Sequence, residues 1–105
     1  MKVLKVEPGR IPELIEIENE LTALQDAVGG DIECVTIARD AAIICDEEGL
    51  LKGKPVNFGF CGLTIVGTAL FVGVDGEEFC DIDPKAVPFL AKESKYNRRI
   101  INANR

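Results

Sequence analysis

The chain has 105 residues, 47% hydrophobic and 29% charged, with a net charge of −6, no histidine and no tryptophan. That is the size and balance of one small globular domain, able to fold on a single core without metals or disulfides. The acidic balance disfavours nucleic acid as the main partner, since binding phosphates requires a cationic face that releases counterions.

Charge is unevenly distributed. Residues 1–33 carry three basic and eight acidic groups, residues 34–83 three and nine, and residues 84–105 six and one, so the successive balances are −5, −6 and +5. The basic tail, with Lys85, Lys92, Lys95, Arg98, Arg99 and Arg105, is expected to complement its own helix dipole and lie against the acidic body. No run approaches the roughly 18 apolar residues of a membrane span, and the Met1-Lys2-Val3-Leu4-Lys5 start lacks a signal-peptide pattern, so a cytoplasmic setting without membrane contact is expected. Cys34, Cys45, Cys61 and Cys80 are irregularly spaced beside apolar stretches, which reads as reduced core thiols and not as a disulfide framework or a zinc site.

Lys2–Val6 reads as a strand, Glu7-Pro8-Gly9-Arg10 as a turn, and Pro12–Ile17 as a return strand with Ile15 and Ile17 on one face and Glu16 and Glu18 on the other. Asn19 is placed to cap a helix of about ten residues, whose apolar stripe of Leu21, Leu24 and Val28 ends at Gly29-Gly30. Ile32–Ala38 and Ala41–Cys45 are apolar on both faces and predict two central strands paired as a second hairpin. Asp46-Glu47-Glu48-Gly49 leaves the sheet, with Gly49 a candidate for positive φ. A long shaped loop from Glu47 to Phe60 follows. Leu63–Val74 reads as one apolar strand in which Gly67 and Gly73 signal a bulge, a bend or a close approach. Asp75-Gly76 is a tight-hairpin signal leading back along Glu77–Ile82. Asp83 caps a turn begun by Pro84, and Pro88 opens a C-terminal helix to about Asn97. The sum is a single α+β domain, mainly an antiparallel sheet of hairpins, with one short helix after the first hairpin and another at the C-terminus.

The chemistry is mostly exclusion. Gly49-Leu50-Leu51-Lys52-Gly53-Lys54 fails as a phosphate loop because the glycines are one residue too close and Pro55 stands where a Ser or Thr must reach magnesium. Asp81-Ile82-Asp83 fails as a calcium loop because its glycine position falls on Ala86. Without histidine, Ser-His and Cys-His nucleophile pairs are excluded, which leaves Glu47-Glu48 and Glu77-Glu78 as adjacent acids in turns. Phe58 and Phe60 either plug the edge of the core, the plainer reading, or Phe58 offers a contact point.

A family pattern accompanies these features. Met1-Lys2-Val3-Leu4, Glu7-Pro8-Gly9, Pro12-Glu13, Asn19, Leu24-Gln25 and Val28-Gly29-Gly30-Asp31-Ile32-Glu33 resemble the opening of the domain-of-unknown-function 3846 family. Glu47-Glu48-Gly49, Leu51-Lys52-Gly53, Pro55, Asn57 and Ile65-Val66-Gly67-Thr68-Ala69 resemble its second half. The resemblance implies a small bacterial protein of the kind carried by phages, plasmids and other mobile elements, with no assigned activity and no functional residues to transfer.

The expected function is therefore a non-catalytic interaction or modulator domain. Another protein is its expected partner, and the candidate contact residues in the 47–60 loop are Glu47, Glu48, Lys52, Lys54, Asn57 and Phe58. The alternative is an anion- or nucleotide-binding protein or enzyme in which Lys52 and Lys54 meet the anion and Glu47 or Glu48 moves a proton. Self-association, with the basic tail of one chain on the acidic body of another, is a third reading. No cofactor or metal is expected.

Overall fold

A computed structural model of the chain describes residues 1–94. Its strands are β1 (Lys2–Val6), β2 (Glu13–Glu16), β3 (Ile32–Ala38), β4 (Ala41–Asp46), β5 (Val56–Phe60), β6 (Leu63–Val66), β7 (Ala69–Asp75) and β8 (Glu78–Cys80). Helix α1 spans Leu21–Val28, and a second helix, α2, occupies residues 87–94 of the described chain. The expected continuation to Asn97 and the basic tail beyond it lie outside the described residues.

All pairings are antiparallel. The main sheet runs β2-β1-β7-β4-β3, with β8 also against β7, and β5-β6 form a separate two-stranded hairpin. β7 is central because Ala69–Phe71 pair with β1 and Gly73–Asp75 with β8 on one side, while Leu70–Gly73 pair with β4 on the other. Its alternating side chains consequently enter two cores. Leu70 and Val72 join Val3, Ala42, Ile44, Leu24 and Val28 beneath α1, and Ala69 and Phe71 join Leu4, Val6, Ile43 and Cys45 on the opposite face. That opposite face is covered by Phe58 and Ile65 of the β5-β6 hairpin and by Ile82 and Leu90. The Phe71 ring stacks on Phe58 and meets Phe60 edge-on, each at a centroid distance of 5.6 Å. A sheet buried on both faces explains why β4 and β7 are apolar at odd and even positions alike.

Several expectations are corrected. β3 is an edge strand, not a central one: Glu33, Cys34, Thr36 and Ala38 are exposed, and only Ile32, Val35 and Ile37 are half-buried. The Leu63–Val74 run is two strands in different sheets. Gly67, at φ +72°, supplies the left-handed bend that carries the chain from the hairpin layer into the main sheet. Gly73 is instead a close approach: a Cβ there would collide with the Asp81 carbonyl oxygen. Helix α1 begins one residue after Glu20, so Asn19 does not cap it, and the Asn19 amide donates to the Phe79 carbonyl at 2.8 Å, tying the helix entrance to β8. The C-terminal expectation holds, with Gly29 in the left-handed conformation and its N–H bonded to the Gln25 carbonyl at 2.8 Å. Gly49 lacks a positive φ and is needed for space, because a Cβ there would lie 3.0 Å from Val66 Cγ2. Asp83 acts as expected, accepting from the Lys85 N–H at 2.9 Å.

Candidate functional site: a braced apolar turn beside a groove

The stretch from Glu47 to Phe60 is not one open loop. Residues 47–54 form a compact turn closed by Lys52 N–H to Glu48 carbonyl, 2.9 Å, and Lys54 N–H to Gly49 carbonyl, 3.0 Å. Residues 56–60 are β5.

A buried carboxylate anchors the turn. Asp46 ends β4 with its side chain only 1% exposed, accepting from Lys54 Nζ at 2.6 Å, Lys52 Nζ at 2.8 Å and the Glu48 N–H at 2.9 Å. The same two ammonium groups reach the end of α1, where Lys54 donates to the Val28 carbonyl at 2.8 Å and Lys52 to that of Gly29 at 3.1 Å. The last helical carbonyls and the negative end of the helix dipole thus meet two cations supplied by the turn. Hydrogen bonds from Lys52 and Lys54 hold the Asp46 carboxyl well below the usual carboxylate range, outweighing its burial. The glycines of this region leave room for the clasp. A Cβ on Gly30 would overlap Lys52 Nζ and come within 2.7 Å of Asp46 Oδ1, and one on Gly67 would come within 2.8 Å of Lys54 Cδ.

Six residues were expected to face a partner or anion, and the structure separates them. Lys52 and Lys54 are both engaged with Asp46, their side chains 40% and 23% exposed. Asn57 and Phe58 are fully buried, which removes both as contact residues: for Asn57 it corrects the placement in an exposed loop, and for Phe58 it bears out the plainer reading that the ring plugs the core. A register shift between Val56 and Phe58 turns these consecutive side chains inward together. Asn57 donates to the carbonyls of Val6, 2.7 Å, and Gly67, 2.8 Å, and so pins the hairpin to β1 and to the bend. Glu47 and Glu48 remain exposed.

Sequence reasoning missed Leu50 and Leu51. They sit at the apex of the turn, 80% and 86% exposed. The available signal was an apolar pair inside a polar turn with no amphipathic period to bury it. Leu50 also borders a cavity of about 330 Å³ between the β3-β4 face and β6, lined by Glu33, Val35, Cys45, Asp46, Glu47 and all four residues of β6. A second, separate cavity of about 330 Å³ lies farther along β3, lined by Ile37, Ala38, Asp40 and Ala41, by Phe60 and Cys61 of the hairpin tip, and by Ala86, Phe89 and Leu90. Burial, reinforced by the Glu33 and Asp46 charges, pushes the Cys45 thiol in the groove floor up to about 11, so it is protonated and a poor nucleophile at neutral pH. Among the described residues no group of three His, Cys, Asp or Glu is placed to hold a metal ion.

No curated protein and no solved structure matches the chain. Of the residues at the clasp, Gly29, Gly30, Lys52 and Gly67 are also among those that carry the family resemblance, whereas Asp46 and Lys54 are not. The model of DUF3846, a domain of unknown function, matches residues 1–97 and so nearly the whole sequence: the chain belongs to the DUF3846 family.

Proposed function

We propose that the protein is a non-catalytic protein-binding domain that modulates another protein, and that it presents Leu50, Leu51 and the adjoining groove as its contact surface. The observation that carries this reading is the exposure of two adjacent leucines on a turn whose base is fixed by the Asp46–Lys52–Lys54 clasp. An apolar tip on a loose loop would fold back on the protein. Here the clasp and the internal turn bonds hold it outward, and exposed apolar surface held rigidly beside a groove is characteristic of interaction sites. Burying each leucine against a partner contributes about 1.5–3 kcal/mol. The setting we propose is a bacterial cytoplasm, with the protein borne by a mobile element as the family resemblance suggests. The four free thiols suit a reducing compartment, and no helix among the described residues is long and apolar enough to cross a membrane.

The anion-binding alternative is less favoured because both of its lysines already donate to the Asp46 carboxylate and to the carbonyls at the end of α1. The test is affinity capture from the native host with the wild-type chain and with Leu50→Ser/Leu51→Ser. A partner recovered by the first and lost by the second is expected, and equal recovery by both would refute the assignment of the turn.

A further inference from the structure

The groove beside the leucine turn has the form of a site for an added strand. The hairpin β5-β6 closes through the two-residue turn Cys61-Gly62 on the pair Phe60–Leu63, and Gly59–Thr64 and Phe58–Ile65 follow. In an antiparallel ladder the pair next to the turn is hydrogen-bonded and the following one is not, so the Thr64 N–H and C=O point away from β5. Among the described residues β6 has β5 as its sole strand neighbour, and Thr64 is exposed along the first cavity. An open edge of this kind is a template for backbone pairing.

The floor beneath that edge is apolar. Val35 in the first cavity and Ile37 in the second lie two residues apart on β3, pack against the same core and are both half-buried, with a register shift between Thr36 and Ala38 marking an irregularity at Ile37. A strand laid against β6 would drop its own alternate side chains onto these two positions. The described residues at the ends of the groove are acidic. Glu33 and Glu47 stand at one end and Asp40 at the other, and among the described residues neither lining includes a Lys or Arg. Asp46, the remaining acid, is already neutralised by its two lysines.

We infer that the groove takes an extended segment of another protein by strand addition to β6. The segment places apolar residues at i and i+2 over Val35 and Ile37, and basic residues at its ends against Glu33 and Glu47 and against Asp40. This deepens the protein-binding reading and rests on it. Backbone pairing with Thr64 supplies affinity that is tolerant of sequence, while the apolar pair and the flanking carboxylates set specificity.

The test is selection of displayed random peptides of about ten residues against the full chain, followed by titration of a soluble representative. Enrichment of alternating apolar sequences with basic ends is expected, with resonance changes at Thr64, Val35 and Ile37. Binding should weaken about tenfold or more when the peptide residue opposite Thr64 is N-methylated. The charge-reversed protein Glu33→Lys/Glu47→Lys, altered only at exposed side chains, should prefer peptides with acidic ends. Failure to enrich, or resonance changes confined to other surfaces, overturns the inference. So does binding that appears only after Arg98→Ser/Arg99→Ser, which would assign the groove to the chain's own end, or competition by self-association, which would assign it to a second copy. A partner captured through Leu50 and Leu51 while peptide selection fails would refute strand addition and leave the protein-binding reading standing.

Discussion

Replacing Asp46 with asparagine removes the charge of the clasp while keeping its shape. Asparagine can still accept from the Glu48 N–H, but Lys54, 23% exposed, and Lys52, 40% exposed, lose the carboxylate that they approach at 2.6 and 2.8 Å. Removing one partner of a fully buried pair costs roughly 3–5 kcal/mol. Both lysines can partly rehydrate, and Lys54 keeps the Val28 carbonyl as an acceptor, so the discounted expectation is about 2 kcal/mol. At about 4–8 °C per kcal/mol for a domain of this size, Tm should fall by about 8–16 °C. Urea unfolding followed by far-UV circular dichroism suits a chain with no tryptophan. A pH series adds a second constraint. The folded-state pKa of Asp46 is lowered from its ordinary 3.8, so its contribution is fully present above 3.8 and is lost as the pH falls below that value toward the depressed one. The gap between wild type and Asp46→Asn should therefore hold from neutral pH down to about 5 and narrow below 3.8. Glu7, whose pKa is also lowered by its bond to Lys5, is common to both proteins and cancels. A stability change under about 0.5 kcal/mol, the size of an ordinary surface substitution, or a gap that does not narrow in acid, would refute the clasp as a stabilising element.

Other substitutions probe the same assembly. Gly30→Ala should cost about 1–3 kcal/mol in the same unfolding experiment, because the new methyl displaces Lys52 and Asp46; unchanged stability would show that the clasp tolerates relocation. Asn57→Ala leaves the Val6 and Gly67 carbonyls without the donor shown here and should cost about 2–3 kcal/mol, lowering hydrogen-exchange protection in β5 and β6 before the main sheet. Among the cysteines, exposed Cys61 should react first with a thiol reagent, and Cys45, buried and held protonated, only on unfolding; fast labelling of Cys45 in the native protein would contradict the packing of the groove floor.

The fold was legible in the sequence wherever local chemistry and packing agree. Lys2–Val6 with its return strand, the β3-β4 hairpin and the Asp75-Gly76 turn each combine a turn signal with apolar residues of strand period, and tertiary contacts preserve that pattern. Legibility failed where a residue's role depends on a distant partner. Nothing near Asn19 announces the Phe79 carbonyl, and although Gly67 reads as a bulge, a bend or a close approach, nothing local shows that its bend divides the 12-residue run between two layers. The candidate site shows the same limit more sharply. Lys52 and Lys54 read as free loop cations because Asp46 looked like a turn residue, and only the fold places that carboxylate under them beside the end of α1. Once the lysines are engaged, Leu50 and Leu51 become the distinctive groups of the turn, an apolar pair that the sequence reading passed over.

The braced leucine turn is the proposed protein-binding surface. Its most direct test is the dissociation constant of the protein captured from the native host, measured by titration against the wild-type chain, Leu50→Ser/Leu51→Ser, and Ile11→Ser as a comparably exposed apolar control elsewhere. Loss of two buried leucines predicts weakening by at least about a hundredfold for the turn variant, with folding unchanged and the control within about twofold of wild type. Equal affinities for all three, or equal weakening of the turn variant and the control, would contradict it.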